Sequence, residues 1–267
     1  LVKKIMFFKE YNAKKTKEGD ISKSREKFKN KKNKNLIFLL ENRFFWMKEF
    51  IGNKKNIIEL GSGNGASKEI LKNKNIILTD IQKYHWISKK IDMRELNLEE
   101  KYIENVDIFI INHALHHCSN PAKLLNAMSK YLKKNGLILM NEPETSFFLK
   151  FFQFILKDEG WSFNVNIFDD KKNIFESDNP WMGNTAVARL LFKDEKKFSY
   201  HFPQYEIIKN KLSEFSIFLN SGGVINNIFY ISVNKFFFNL LNFVDKILIF
   251  LLPNIFALNR RIVLKKK

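Results

Sequence analysis

The stretch "NIIELGSGNGASKEI" (residues 56–70) decides the fold of this 267-residue chain. It begins with an apolar run, passes through glycines at positions 61, 63 and 65, and ends in residues that favour a helix. Glycine at such a turn lets backbone N–H groups approach a ligand closely, and the N-terminus of the following helix favours negative charge. The stretch therefore predicts a buried strand, a ligand-binding turn and a helix in succession.

The same alternation of short apolar runs and helical stretches continues to residue 143. Strands are predicted over 56–60, 75–80, 106–112 and 137–143, and helices over 66–72 and 120–136. Asn120 and Pro121 suit the start of the second helix, and Gly136 suits its end. Strands alternating with helices of this length predict an α/β fold with a Rossmann-like, doubly wound parallel sheet.

The flanking regions differ in composition. Residues 1–34 hold thirteen basic residues against four acids, which predicts a basic arm that is either mobile or a solvated helix. A helix over 35–50 is expected to lead into a core domain of residues 35–145. Residues 146–267 are expected to form a substrate or lid region, with the remaining strands and a set of apolar C-terminal helices.

Residues 224–258 are very apolar, but Lys235, Asp245, Lys246 and Pro253 interrupt them. No window reaches the roughly 18 uncharged apolar residues that a membrane-spanning helix needs. Two alternatives remain. The segment forms a buried helix pair, or a helix lies on a membrane surface, with residues 236–267 and their basic end "RRIVLKKK" making peripheral contact.

The net charge of +18 raises the question of nucleic-acid binding. About half of the excess lies in the arm, and the rest is scattered lysine rather than the arginine that suits phosphate and base recognition. We therefore expect no nucleic-acid partner.

The single cysteine excludes an intramolecular disulfide and fits a reducing, cytoplasmic setting. The expected location is the cytoplasm or the inner face of the membrane.

The glycine spacing alone fits two cofactors, because Gly61-x-Gly63-x-x-Ala66 also satisfies a dinucleotide-binding pattern, with Asp80 near the ribose position. Three features favour S-adenosylmethionine. Glu59 precedes the first glycine by two residues, where a carboxylate could bind the ammonium of a methionine moiety. Asp92 follows the third strand region, where it could accept from an adenine amino group. The fourth strand then ends in the polar corner "INHALHH" (residues 111–117).

Over residues 56–143 these features resemble the class I S-adenosylmethionine-dependent methyltransferases of the small-molecule type. The resemblance implies S-adenosylmethionine as cofactor. It implies that the methionine end is held by Glu59, Gly61, Ser62, Gly63 and Gly65. It further implies that the nucleoside end and its support come from Asp80 at the ribose, Ile81 beside the adenine, Asp92 and Met93 at the adenine amino edge, and Asn112 on the fourth strand.

Methyl transfer depends largely on alignment, but a hydroxyl acceptor gains from a base. His113 and His116 at the corner are the first candidates, with packing of the corner as the alternative role. Glu142 and Glu144 end the next strand and are further candidates, Glu144 as a base and Glu142 for substrate binding. His117 is expected to be structural.

We predict no metal site, because His113, His116, His117 and Cys118 lie too close along one corner to surround an ion. The Pro-Cys turn of pyrimidine C5 methylation and the N-P-P-Y signature of base amino-group methylation are both absent. Both absences argue against nucleic-acid modification.

The C-terminal part resembles, less closely, bacterial methyltransferases associated with surface-polysaccharide biosynthesis. Trp181 and Asn184 suit a sugar acceptor, or alternatively pack a lid and cap a helix. The predicted function is O-methylation of a sugar, nucleotide-sugar or lipid-linked glycan hydroxyl. RNA methylation, favoured only by the charge, and a catalytically silent S-adenosylmethionine-binding protein are the alternatives. The sequence leaves the oligomeric state open.

Overall fold

The computed structural model describes residues 10–11, 19–156, 159–176 and 179–267. Parts of the predicted basic arm, residues 1–9 and 12–18, therefore lie outside the described residues. A seven-stranded sheet forms the centre of the described chain. Its strands are β1 Ile57–Leu60, β2 Ile76–Asp80, β3 Lys89–Lys90, β4 Val106–Asn112, β5 Leu132–Pro143, β6 Tyr205–Ser213 and β7 Asn259–Lys266.

The strand order is β3-β2-β1-β4-β5-β7-β6. β1 pairs in parallel with β2 on one side and with β4 on the other, so the winding of the chain reverses between β1 and β4. β7 runs antiparallel to both β5 and β6. A reversal of this kind opens a crevice at the carboxyl ends of the strands, where ligands of open α/β sheets bind. The predicted doubly wound α/β fold is confirmed.

Helices cover both faces and one end of the sheet. They are α1 Ile21–Asn30, α2 Lys34–Phe44, α3 Lys48–Ile51, α4 Ala66–Leu71, α5 Pro121–Tyr131, α6 Phe147–Leu156, α7 Val187–Phe192, α8 Glu195–His201, α9 Ser216–Leu219, α10 Lys235–Leu251 and α11 Pro253–Phe256. A 3₁₀ turn, Phe45–Met47, joins α2 to α3. A short antiparallel pair forms between Glu10–Tyr11 and Trp161–Ser162. None of the described helices has the length and apolarity needed to cross a bilayer.

α1, which lies in the predicted basic arm, packs against the glycine turn. Its Asp20 cap accepts from the Lys23 N–H, and Ile21 and Phe28 are buried. Arg25 donates to the carbonyl of Asn64 at 2.6 Å. The apolar and polar contacts of α1 therefore cover the outer side of the turn that follows β1.

One predicted helix end is wrong, and the basic C-terminus forms a strand. The helix predicted over 120–136 ends at Tyr131, because fully buried Leu132 is extended and pairs with Val106 of β4. The basic C-terminal residues 259–266 form β7, which lies between β5 and β6. Ile262, Val263 and Leu264 are fully buried there, which stabilises the strand against its neighbours.

Candidate active site

The glycine turn after β1 needs glycine for both conformation and space. Gly61, Gly63 and Gly65 have φ values of 67°, 50° and 68°, in the left-handed region that strains residues with a Cβ. A Cβ on Gly61 would lie 2.6 Å from the Cβ of Ala114 and 3.1 Å from Cε of Met93. The turn after β1 therefore lies directly against the corner after β4 and against predicted adenine-side Met93.

Glu59 lies beneath this turn on β1 and is almost fully buried. Its carboxyl group accepts a hydrogen bond from the Ser67 hydroxyl at the start of α4. Burial raises the pKa of Glu59 to about 8, although the hydrogen bonds from Ser67 and Ser62 oppose the shift. Ser62 itself is buried and donates through its hydroxyl to the Glu59 carbonyl at 3.2 Å.

Asp80, at the carboxyl end of β2, also contacts the turn. One carboxylate oxygen accepts from the Gly63 N–H at 2.9 Å, and the other accepts from the Gln82 N–H at 3.1 Å. Ile81 follows it and is half-buried. The structure thus places the predicted ribose ligand within hydrogen-bond distance of the predicted methionine-binding turn.

The remaining predicted cofactor residues lie on neighbouring loops. Asp92 caps a 3₁₀ turn, Met93–Glu95, and pairs with the Arg94 guanidinium. Burial would raise the pKa of Asp92, but the hydrogen bonds from Arg94 outweigh it and lower that pKa below its usual value. Asn112 ends β4, where its side-chain oxygen accepts from Asn141 at 3.2 Å.

These residues fit S-adenosylmethionine in their chemistry. The turn offers closely approachable backbone, and acids stand beneath it and at the end of β2, where an ammonium and a ribose diol would need them. When bound, the cofactor supplies an electrophilic methyl group on a sulfonium. The chain contributes the cradle: Glu59 toward the ammonium, Asp80 toward the diol, and Asp92 with Met93 toward the adenine edge.

One buried carboxylate organises the corner after β4. Glu142 of β5 accepts through one oxygen from the N–H groups of Ala114 and Leu115, both at 2.8 Å. Its other oxygen accepts from the His116 N–H at 3.3 Å and lies 2.7 Å from Nδ1 of the His116 ring. The structure therefore places this predicted substrate-binding residue beneath the corner, where it holds both backbone and ring.

Sequence reasoning missed Glu159, which lies outside every predicted motif. Its carboxylate lies 3.2 Å from Nε2 of His116 and 3.4 Å from Nε2 of His117. Burial lowers the pKa of His116, but Glu159 and Glu142 outweigh it and raise that pKa well above its usual value. Burial lowers the pKa of His117 most, and electrostatic repulsion from the His116 ring lowers it further. Burial would raise the pKa of Glu159, but His116 outweighs it and lowers that pKa.

His113 lies edge-on to the His116 ring, with ring centroids 6.4 Å apart, but makes no hydrogen bond to Glu142 or Glu159 that the structure records. Its backbone has a φ of 51° and its N–H donates to the Asn141 carbonyl at 2.7 Å. Its Nε2 is buried and has no hydrogen-bond partner among the described residues. Burial, and then the nearby Arg43 guanidinium, hold the pKa of His113 well below its usual value.

The other predicted site residues have different surroundings. Glu144 is buried, and its two oxygens accept from Arg189 at 2.9 Å and from Arg260 at 2.7 Å. Asn184 uses its side-chain oxygen to accept from the Ser162 and Ala186 N–H groups and its amide nitrogen to donate to the Ser162 carbonyl. These contacts give Glu144 an ion-pairing role and Asn184 a capping role in the described fold.

Trp181 is half-buried and lies two residues before Gly183. A Cβ on Gly19 would lie 2.7 Å from the Trp181 ring, so the ring packs beside the start of α1. A Cβ on Gly183 would in turn lie 2.9 Å from Nδ1 of His117. The segment that carries Trp181 therefore packs directly against the corner after β4 that holds His113, His116 and His117, which we call the histidine corner.

Comparison with known proteins supports a methyltransferase. Residues 58–140 match the family model described as a methyltransferase domain. The match covers less than half of the chain and supports the coarse prediction of methyltransferase activity. The predicted cofactor, S-adenosylmethionine, is confirmed. No curated protein matches the chain.

Two solved structures illustrate what the chain is similar to at low sequence identity. One, a SAM-dependent methyltransferase from Archaeoglobus fulgidus, is 15% identical with a TM-score of 0.49, covering 86% of this chain and 94% of that one. A SAM-dependent methyltransferase from Methanosarcina mazei is 12% identical with a TM-score of 0.42, covering 83% and 96%.

Proposed function

We propose that the chain is an O-methyltransferase that works at a membrane surface and methylates a sugar hydroxyl of a lipid-linked glycan. The observation that carries the proposal is an exposed apolar surface on α6 and α10. We call it the apolar surface, and its members are Phe147, Phe151, Phe154, Ile155 and Leu156 of α6 and Phe236, Phe237, Leu240, Phe243, Val244, Ile247, Phe250 and Leu251 of α10.

The two helices of the apolar surface are neighbours. Phe148 of α6 packs on Phe256 of α11, with ring centroids 5.4 Å apart, and α11 follows α10 after one residue. Phe250 is 85% exposed and Phe236 is 71% exposed. Aromatic exposure on this scale marks a surface that binds another apolar phase.

Charge favours a bilayer as that phase. α6 and α10 carry four charged residues, Lys150, Lys235, Asp245 and Lys246. Asp245 is buried, so every charged side chain that these helices expose is a lysine. Apolar residues interspersed with cations are typical of helices that lie on anionic membranes.

Placement at a membrane surface would favour a lipid-linked acceptor. A lipid-linked glycan presents its sugar next to the bilayer, so the apolar surface would bring the histidine corner to the substrate. Trp181 would contact a sugar face there. In the transfer, the hydroxyl gives up its proton, its oxygen bonds to the methyl carbon, and the electron pair of the broken C–S bond stays on sulfur. His113 is the candidate proton acceptor, because its Nε2 has no partner among the described residues.

Vesicle binding tests the membrane part of the proposal. The full chain should co-sediment with phosphatidylcholine vesicles containing phosphatidylglycerol, and less with phosphatidylcholine alone. Phe236→Ser combined with Phe250→Ser should weaken binding about tenfold or more, because each buried aromatic side chain contributes about 1.5–3 kcal/mol. Tyr200→Ser, which alters a strongly exposed aromatic residue on α8, is the matched control. Equal binding of the double variant and wild type would contradict the proposal.

Radiolabelled S-adenosylmethionine and fractionated cell extract test the acceptor. Label in a glycolipid fraction supports the proposal, whereas label in RNA or protein overturns it. Label confined to water-soluble sugars would keep the sugar acceptor and overturn its lipid linkage.

A further inference from the structure

Three potential metal-binding side chains from two distant segments meet at the corner after β4. His116 and His117 belong to the corner itself, and Glu159 follows α6. One donor atom from each lies within 4.8 Å of the others. We propose that His116, His117 and Glu159 bind one divalent transition-metal ion.

The donor spacing suits such an ion. One Glu159 oxygen lies 3.2 Å from Nε2 of His116, and the other Glu159 oxygen lies 3.4 Å from Nε2 of His117. Zinc bonds to nitrogen and oxygen are about 2.0–2.2 Å long, so adjacent ligand atoms of a tetrahedral site lie roughly 3.3–3.5 Å apart. An ion bound by one oxygen from Glu159 and Nε2 of each ring therefore needs the three donors, now within 4.8 Å of one another, to move closer together.

Hydrogen bonds fix both rings with Nε2 toward this point. Nδ1 of His117 lies 3.1 Å from the Met182 carbonyl, which can only accept, so Nδ1 carries the hydrogen. Nδ1 of His116 faces the Glu142 carboxylate in the same way. In the neutral rings both Nε2 lone pairs then point at a carboxylate. Electron-rich atoms in this arrangement are stabilised by a positive charge, supplied either by a metal ion or by a proton on His116.

The partners of the two rings are themselves held in place. Glu142 is fixed by three backbone N–H groups of the corner. Beside Met182, the Asn184 N–H donates to the His116 carbonyl at 2.8 Å. Next to Glu159, the Gly160 carbonyl accepts from the Thr185 N–H at 3.1 Å. Supporting contacts of this kind orient metal ligands and raise their affinity.

The ligand set leaves room for an exchangeable ligand. The His116 side chain is 2% exposed, whereas those of His117 and Glu159 are 19% and 25% exposed. Three protein ligands with a solvent-facing side are typical of catalytic rather than structural sites. Where the proposed function holds, an acceptor hydroxyl would take the open position, and the cation would lower its pKa.

The sequence argument against a metal was that the corner alone cannot surround an ion. Glu159 removes that objection, because it approaches both rings from a segment 42 residues further along the chain. The competing account is a proton on His116 shared with Glu159, which needs no metal.

Cobalt and zinc titrations separate the two accounts without methyl transfer. The full chain, stripped of metal with a chelator, should bind one Co²⁺ with visible absorption bands and one Zn²⁺ by calorimetry. Glu159→Gln and His117→Ala should each weaken Zn²⁺ binding by at least about tenfold, the lower range of even indirect ligand contacts. His85→Ala, which removes an exposed histidine away from the corner, should leave the affinity unchanged.

Absence of stoichiometric binding would overturn the metal site and leave the proton account. Equal affinity in wild type and Glu159→Gln would overturn the assigned ligands, as would a His85→Ala variant as weak as His117→Ala. Glu159 is partly exposed, so its substitution should leave the protein folded. Because no acceptor or vesicle is used, failure here is independent of failure of the proposed membrane function.

Discussion

Nδ1 of His116 lies 2.7 Å from a carboxylate oxygen of Glu142, which joins the corner after β4 to the end of β5. The same carboxylate accepts from three consecutive backbone N–H groups, those of residues 114–116. One buried side chain therefore sets the backbone path of the corner and the orientation of its ring. Ala114 also lies directly against Gly61, so the corner held by Glu142 is in contact with the glycine turn after β1.

The first prediction concerns this carboxylate. Glu142→Gln replaces one carboxylate oxygen with an amide N–H₂ group. The backbone N–H groups of residues 114–116 point at this carboxylate, so one or more of them would lose its acceptor. The free energy of unfolding should fall by about 2–4 kcal/mol, the scale for leaving a buried charged network unsatisfied. Urea unfolding measures the change. Glu100→Gln, at an exposed acid, should keep the wild-type midpoint, and a Glu142→Gln midpoint equal to that of wild type would contradict the organising role.

The second prediction concerns Asp80. Asp80→Ala removes the proposed ribose ligand and the acceptor of the Gly63 N–H, so both the ligand contact and the shape of the turn are lost. S-adenosylmethionine affinity, measured by calorimetry, should fall by about tenfold or more, which corresponds to at least ~1.4 kcal/mol. Asp170→Ala, at an exposed acid near α5, is the control. Unchanged affinity in Asp80→Ala would place the cofactor elsewhere.

The sequence predicted those elements whose conformation depends on neighbouring residues in the chain, and missed those that depend on contacts between distant strands. The turn at Gly61, Gly63 and Gly65 was predictable because its spacing and its apolar strand lie in one short stretch. The end of α5 was not, because Leu132 leaves the helix to pair with Val106, a contact that exists only in the assembled sheet. β7 was not predicted as a strand, because four of its eight residues are Arg or Lys. Arg260 is buried against Glu144, whose position the sequence does not reveal.

The residues of the candidate site likewise fall into those that the sequence could predict and those that it could not. Glu59, Asp80 and Asn112 lie on or directly after strands whose order determines that they meet. Glu159 meets His116 only because the chain returns to the corner after α6, and no spacing rule relates the two residues. The function of such a residue becomes visible only in three dimensions.

The third prediction is a pH dependence caused by Glu59. Its pKa is about 8 in the folded protein against 4.5 without the fold, so the folded state holds a proton that the unfolded state releases between these values. The folded state binds more protons in this window, and stability should therefore fall as pH rises, by up to about 1.4 kcal/mol per unit from this group. Urea unfolding at pH 5, 6 and 7 measures the slope.

Glu59→Gln isolates the contribution, because other titrating groups are common to both proteins. The difference in stability between variant and wild type should change across this pH range in favour of the variant. A difference that stays constant from pH 5 to 7 would show that Glu59 is ionised in the folded protein.

The last prediction concerns Asp245, which anchors α10. This buried carboxylate accepts from the N–H groups of Phe215, Ser216 and Ile217 at 2.9–3.2 Å and from the Ser216 hydroxyl. α10 otherwise buries only Phe238 and Ile249 among its described residues, so the carboxylate carries much of its attachment.

Asp245→Asn would direct an amide N–H₂ group at one or more of these donors. Hydrogen exchange across 235–251 should accelerate by about tenfold or more, which corresponds to ~1.4 kcal/mol, while S-adenosylmethionine affinity stays unchanged. Lys246→Gln, at the exposed neighbour, should exchange as wild type does. Wild-type exchange in Asp245→Asn would mean that Phe238 and Ile249 alone hold the helix, whereas faster exchange throughout the sheet would mean that α10 and the sheet unfold as one unit.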